Sequence, residues 1–314
     1  MNHRGGWELI KNTWQSWLQH RGFFFLLAFG WMLPLLVYLF VWSAAAGDGT
    51  VGGLTRDALA GYYLALILVN QVTYSSTNWT VGDVIRYGEI SRWLLQPMSP
   101  LYHALSSEIA GRVVFMLFSI PVTGLFALIL RPELGLTWEQ GLLFIPALFF
   151  AWFLRFFWGY WLALLSFWAA RADSLLALQD TLVFLVGGHL APIALLPAWL
   201  QGPAKVLPFR YMSAFPVEIL TGQLERGEIL LGFAVQIAWG LAAFLLYRLI
   251  WARGIRHYEA VGLTLALFEI DRILLQSLHP GRVGLSRQFF HPPAELRFEP
   301  GHGRSEPGSD LQPG

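Results

Sequence analysis

Six apolar runs, separated by charged or by glycine- and proline-rich stretches, set the plan of this chain: residues 23–46, 58–78, 109–130, 141–170, 174–197 and 229–251. A helix needs ~20 apolar residues to cross a bilayer, and each run meets that length. Ahead of them, Trp7, Ile10, Trp14, Trp17 and Leu18 recur at helical spacing, with Glu8, Lys11, Asn12 and Gln15 opposite. An indole-rich amphipathic helix of this kind lies in the headgroup zone. A cleaved signal peptide is the competing reading, but no small-residue cleavage site precedes a polar continuation. Beyond Gly262, Leu263–Leu278 is apolar yet carries Glu269, Asp271 and Arg272, which reads as a surface helix rather than a seventh span. From His279 onward proline, glycine and charge predict disorder. The pattern therefore divides the chain into an interfacial helix (1–21), a six-span domain (22–262) and a tail (263–314). The fold class is an all-α polytopic membrane protein.

The interruptions within the runs are as informative as the runs. The second turns polar midway, where Asn70, Gln71, Thr73, Tyr74, Ser75, Ser76, Thr77 and Asn78 crowd together. Facing lipid they would lack partners, so they face other helices or a wet path. The fourth run exceeds the required length and holds Arg155 in its interior, where a cation is costly unless paired or snorkelling. Glu218 is a conceivable partner. The fifth run breaks at Gly187-Gly188-His189, Pro192 and Pro197, and His189 reads either as a packing histidine or as a ligand site. Residues 200–227 are too interrupted to span. Leu207, Phe209, Tyr211, Phe215, Val217 and Leu220 alternate there with Lys205, Arg210 and Glu218, which predicts short helices at the membrane interface.

The longest charged segment between two runs is 79–112. Ile85, Ile90, Trp93, Leu94 and Leu95 alternate with Arg86, Glu89 and Arg92 at helical spacing, and Pro97 and Pro100 end the pattern. This predicts a short helix on the membrane surface. Trp93, Leu94 and Leu95 would anchor it to the membrane or to the spans, and Glu89 and Arg92 would face a soluble partner. Six spans put both termini on one side. That side collects Arg4, Lys11, Arg21, Arg86, Arg92, Arg112, Arg171, Arg248, Arg253 and Arg256, and the other only Arg56, Arg131, Lys205, Arg210 and Arg226. The basic excess places the termini and the 79–112 loop in the cytoplasm.

Composition narrows the chemistry. Of 314 residues, 55% are hydrophobic and only 13% charged, which suits a bilayer and not an ordinary soluble domain. A net charge of +1 argues against nucleic acid as a partner. Without cysteine there is no disulfide, thiolate metal site or thiol nucleophile. Neither a phosphate-cradling G-x-x-x-x-G-K-[ST] nor H-E-x-x-H nor G-x-S-x-G occurs. A membrane-embedded enzyme would need ionisable groups meeting at one depth, and Arg155 and His189 stand on different runs. An ion-driven secondary transporter is the other alternative, although no inverted repeat is visible.

Three groups of residues carry a family resemblance. They are Gly88-Glu89 with Leu94-Leu95, Pro97 and Pro100; Leu207-Pro208-Phe209 with Pro216-Val217-Glu218 and Gly222; and Gly254 to Gly262, G-I-R-H-Y-E-A-V-G. In that order they resemble the membrane subunits of ATP-binding-cassette exporters of the second, drug and polysaccharide, class. Gln96 departs from the basic residue expected there. The resemblance implies a non-enzymatic permease in a bacterial cytoplasmic (inner) membrane, dimeric with an identical or homologous permease and surrounded by lipid. A separate ATP-binding-cassette ATPase would hold the ATP and magnesium. It implies a re-entrant element between spans five and six. The coupling residues would be Gly88, Glu89, Arg92, Leu94, Leu95 and Pro97, and Asn70, Tyr74, Arg155, His189 and Glu218 would line the substrate path.

Overall fold

A computed structural model describes residues 3–19, 21–132, 137–169 and 172–278. Glu133, Arg171 and the 279–314 tail lie outside the described residues, as does the side chain of Trp17. The described chain is helical apart from a hairpin of two-residue strands, Thr50–Val51 and Leu54–Thr55. In order, the helices are α1 (His3–Gln19), α2 (Arg21–Ala46), α3 (Arg56–Thr73), α4 (Thr77–Arg86), α5 (Ile90–Leu94), α6 (Leu101–Leu130) and α7 (Trp138–Leu164). Then come α8 (Asp173–Val186), α9 (Ala198–Val206), α10 (Pro208–Met212), α11 (Ala214–Leu220) and α12 (Arg226–Leu278). Residues Met1–Tyr258 form one compact unit and Glu259–Gly314 a second, whose helical backbone is described as far as Leu278.

Among the described residues four stretches are long and apolar enough to cross a membrane: Gly22–Ala46, Leu101–Leu130, Trp138–Phe167 and Arg226–Tyr258. The second and fifth predicted runs differ from expectation. The second is cut at Thr73, and α3 starts on the charged pair Arg56-Asp57. The fifth yields only the 14 residues of α8, a rise of about 21 Å against a hydrocarbon core of ~30 Å. Side chains fix several ends. Thr55 accepts from the Ala58 amide at 3.2 Å to start α3, and a Thr137–Gln140 capping box starts α7.

Helix α3 is the packed centre. Leu59, Tyr62, Tyr63, Leu66, Ile67 and Val69 are fully enclosed, between α2, α6, α7 and α11. Of the short helices after α8, α10 and α11 are enclosed by the rest of the chain, whereas α9 is mostly exposed. Every residue from Pro208 to Ile219 is buried inside the chain. Their two charges make this tolerable, because Arg210 Nε and Nη2 both donate to Glu218 Oε2 at 3.0 and 2.6 Å. Burial works against the Arg210 charge, but the Glu218 carboxylate outweighs it and holds the guanidinium pKa above its ordinary value.

The break after α8 frees backbone carbonyls that need donors away from water. Four side chains supply them. Ser213 Oγ donates to Gly187 O at 2.7 Å, and Tyr62 Oη to Gly188 O at 3.1 Å. Tyr63 Oη and Trp42 Nε1 donate to Leu190 O at 3.0 and 2.9 Å. By contrast, the outer faces of the long helices expose rows of large apolar side chains: Leu26, Leu33, Val37 and Val41 on α2, Leu117, Leu125 and Leu128 on α6, and Leu230, Leu241 and Leu245 on α12. Surfaces this apolar are solvated by lipid, not water.

The tightest backbone approach supplies a test. A Cβ at Gly187 would stand 2.3 Å from Val183 O and 3.0 Å from Phe209 O, and backbone carbonyls cannot swing away. Gly187→Ala is expected to cost about 1–3 kcal/mol, read as a lowered Tm of the detergent-purified protein. An unchanged Tm would contradict the packing described.

Candidate functional site

Two arrangements at one end of the helices carry the candidate chemistry: a buried polar network at the α3–α4 break, and the exposed turn that α4 leads into. The break exists because residues 70–78 offer so many side-chain competitors for backbone hydrogen bonds. Arg155, from α7, meets it from one side. Its Nη1 donates to Asn70 Oδ1 at 2.9 Å and Thr73 Oγ1 at 3.2 Å, and its guanidinium lies 5.1 Å from the Tyr74 ring centroid. Its nearest carboxylate is Asp180 on α8, 3.9 Å away. Glu218 is therefore not the partner of Arg155. The first arginine that Glu218 can reach is Arg210, eight residues back in the same compact element.

From the other side, α6 presents Glu108 and Arg112 one turn apart. Glu108 Oε1 accepts from Ser75 Oγ at 2.8 Å and from the Thr77 amide at 3.1 Å, so a carboxylate caps the N-terminus of α4, where the helix dipole favours negative charge. Arg112 pairs with the same carboxylate at 2.5 Å and donates through Nη2 to Tyr74 O at 3.0 Å. Gln71 and Asn78 bond across helices as well. Gln71 Nε2 donates to Ala28 O at 3.0 Å, and Asn78 Nδ2 to Phe156 O at 3.3 Å. Asn78 lies where a Cβ on Gly159 would fall, 2.2 Å from its Nδ2, so that glycine is what lets α4 sit against α7.

Of the five residues expected along the substrate path, Asn70, Tyr74 and Arg155 thus come together, while His189 and Glu218 belong to the α8–α11 region. His189 is buried, and its Nε2 has no protein hydrogen-bond partner. Sequence reasoning misses Glu108, Arg112 as an interior residue, and Asp180. The signals were there: an i,i+4 Glu–Arg pair opening an apolar run, and a lone aspartate within one. Among the described residues no three metal-ligating side chains gather in one place.

Below the network, α4 ends in a tight turn. Gly88 has φ +74°, which a residue with a Cβ adopts only at a cost, and α5 follows at once. Ile90 is 1% exposed, and Trp93 stacks on His103 of α6 with ring centroids 4.8 Å apart. These two hold α5. Leu94 and Leu95 make no such contact within the chain: they point away, Leu95 being 88% exposed, in company with Glu89, Arg92 and Pro97. Five residues make little more than one turn, so once Ile90 and Trp93 face inward their neighbours must face out. Arg86 braces the turn from behind, bound to Asp83 and, at 2.9 Å, to Asp173 at the start of α8.

Residues 31–262, most of the chain, match the family model described as ABC-2 family transporter protein, and the chain belongs to that family. It is a membrane permease component of an ATP-binding-cassette transporter, and membership implies a partner ATPase. No curated protein matches it.

The network predicts a specific non-additivity. Glu108→Gln strands a half-buried arginine, and leaving a charge unpaired costs about 3–5 kcal/mol when it is fully buried and somewhat less here. Removing both charges with Glu108→Gln/Arg112→Met is expected to restore much of the loss in a thermal-unfolding cycle. A double variant as unstable as the sum of the singles would show that the two residues act independently.

Proposed function

We propose that this chain is the permease of an exporter in a bacterial cytoplasmic membrane. It works as a homo- or heterodimer with two ATPase subunits, which bind the ATP and magnesium. The observation that carries the reading is the α5 turn: an anchored, charged and apolar surface that no part of the described chain covers. Its charges, Glu89 and Arg92, and its outward Leu94, Leu95 and Pro97 suit a groove on a soluble protein better than lipid, because the apolar and charged groups share one short face. Gly88 shapes the turn. Both termini and this turn face the cytoplasm, where ATP is.

In this reading the chain crosses the membrane six times. The run from α3 into α4 makes the second crossing, α8 with the segment after it makes the fifth, and α9 to α11 form a re-entrant element beneath the outer surface. Closure of the ATPases on ATP pushes α5 and α4, and the break at residues 74–76 lets that push arrive at the network as a rotation. Asn70, Arg155, His189 and Glu218 are buried within one chain here, and Tyr74 is half-buried. They border the path between two permeases once the network is drawn open. The weakly charged, aromatic-rich helices suit an amphiphilic or apolar cargo.

Affinity purification followed by mass spectrometry is expected to bring down an ATP-binding-cassette ATPase with this chain. Charge reversal at both Glu89 and Arg92 should cut stimulation of that ATPase several-fold while membrane insertion stays intact. Export that persists when the ATPase's nucleotide motif is destroyed would point instead to a gradient-driven carrier. A tag beside Tyr87 that reacts only from outside the cell would remove the docking turn from the mechanism.

A further inference from the structure

The docking turn is tied to the last span by a side chain that the network and the docking face leave unused. Tyr258, near the end of the Arg226–Tyr258 stretch, places its hydroxyl 2.5 Å from Ser91 Oγ on α5 and donates to Gly88 O at 3.2 Å. Ser91 Oγ lies 3.1 Å from the same carbonyl, so the two hydroxyls and the Gly88 carbonyl close a triangle over the turn. The triangle depends on the spacing Gly254–Tyr258. Residues four apart share one face of a helix. At Gly254 a Cβ would stand 2.3 Å from the Phe167 ring, so only glycine lets α12 lie this close to the 3-10 turn Leu165–Phe167. One turn further on, Tyr258 packs edge-on against that same Phe167, centroids 6.1 Å apart, which aims its hydroxyl at α5.

The other attachments of α5 differ in kind. Ile90 is held by apolar burial, and Trp93 by a parallel stack on His103. Both tolerate sideways displacement with little loss, because neither dispersion nor offset stacking demands one alignment. A hydrogen bond weakens steeply with distance and angle. Movement of α5 relative to α12 must therefore either carry Tyr258 along or break the triangle. We propose that Tyr258 is a positioning residue that carries movement of the docking turn into the last span. This rests on reading α5 as the surface that the ATPase grips.

The chain contains no cysteine, so one engineered thiol reports cleanly. Gly227 is exposed, with nothing near its Cβ position, at the opposite end of the same stretch. Gly227→Cys, labelled with an environment-sensitive fluorophore, is assembled with the co-purifying ATPase in lipid nanodiscs, and the emission shift on adding ATP and magnesium is recorded. Tyr258→Phe keeps the ring against Phe167 and removes only the hydroxyl. It is expected to reduce the shift about fivefold, the factor given by losing a neutral hydrogen bond of about 1 kcal/mol, with Tm and ATPase co-purification unchanged. Ser91→Ala should do the same, Ser91→Thr should keep the shift, and Ser91→Ala/Tyr258→Phe should be no worse than either single variant. A full ATP-dependent shift in Tyr258→Phe with the ATPase bound overturns the clasp alone. A loss of Tm or of ATPase binding that accounts for the reduced shift also overturns it. No ATPase bound to the parent chain overturns the docking reading and the clasp together.

Discussion

Four charges on three helices, the buried Glu108 and half-buried Arg112 on α6, the buried Arg155 on α7 and the half-buried Asp180 on α8, hold the chain where α3 gives way to α4. A helix cannot break inside a membrane protein unless the backbone groups it releases find partners nearby. Here Glu108 takes the first amide of α4, and Arg112 donates to the carbonyl of Tyr74. Each of the two is neutralised by the other, so the break costs no unpaired charge. Everything beyond it, the direction of α4 and the position of the α5 turn, follows from that exchange.

Close backbone approach is the second constraint, and glycine supplies it at the points where elements cross. Gly187 lets the end of α8 touch the carbonyl of Phe209, Gly159 admits Asn78, and Gly254 admits Phe167. Two of the sequence groups that carry the family resemblance, one in the 79–112 loop and one beginning at Gly254, are far apart in the chain but meet at Ser91 and Tyr258. The third, around Pro208 and Glu218, builds a separate buried element whose own arginine and glutamate neutralise one another. A motif in this family thus reads as a joint between elements more than as a list of ligands.

Much of the architecture was legible in the sequence because hydropathy reports directly which residues prefer to leave water. Four of the six predicted runs are helices long and apolar enough to cross a membrane, and the break at residues 187–190 falls where glycines predicted it, whereas the polar residues 70–78, read as part of one span, end α3 at Thr73. The facing of short elements was not legible. Within the chain it is Ile90 and Trp93 that hold α5, and Leu94 and Leu95 turn outward, a division that their composition does not reveal. Arg112 and Arg210 look like flank charges and are interior ones, so they say nothing about sidedness, and the basic excess loses one residue on each side.

The sequence by itself determined that this is an all-helical membrane protein with a polar second half to its second run and a short amphipathic element between two of its runs, since each is a local consequence of side-chain transfer and backbone propensity. Only the tertiary structure decided who pairs with whom. Arg155 takes Asn70, Thr73 and Asp180 and not Glu218, and Tyr258 closes on Ser91, because partners across helices depend on which apolar faces meet. Hydrophobic periodicity says that a face will be buried and is silent on what lies against it.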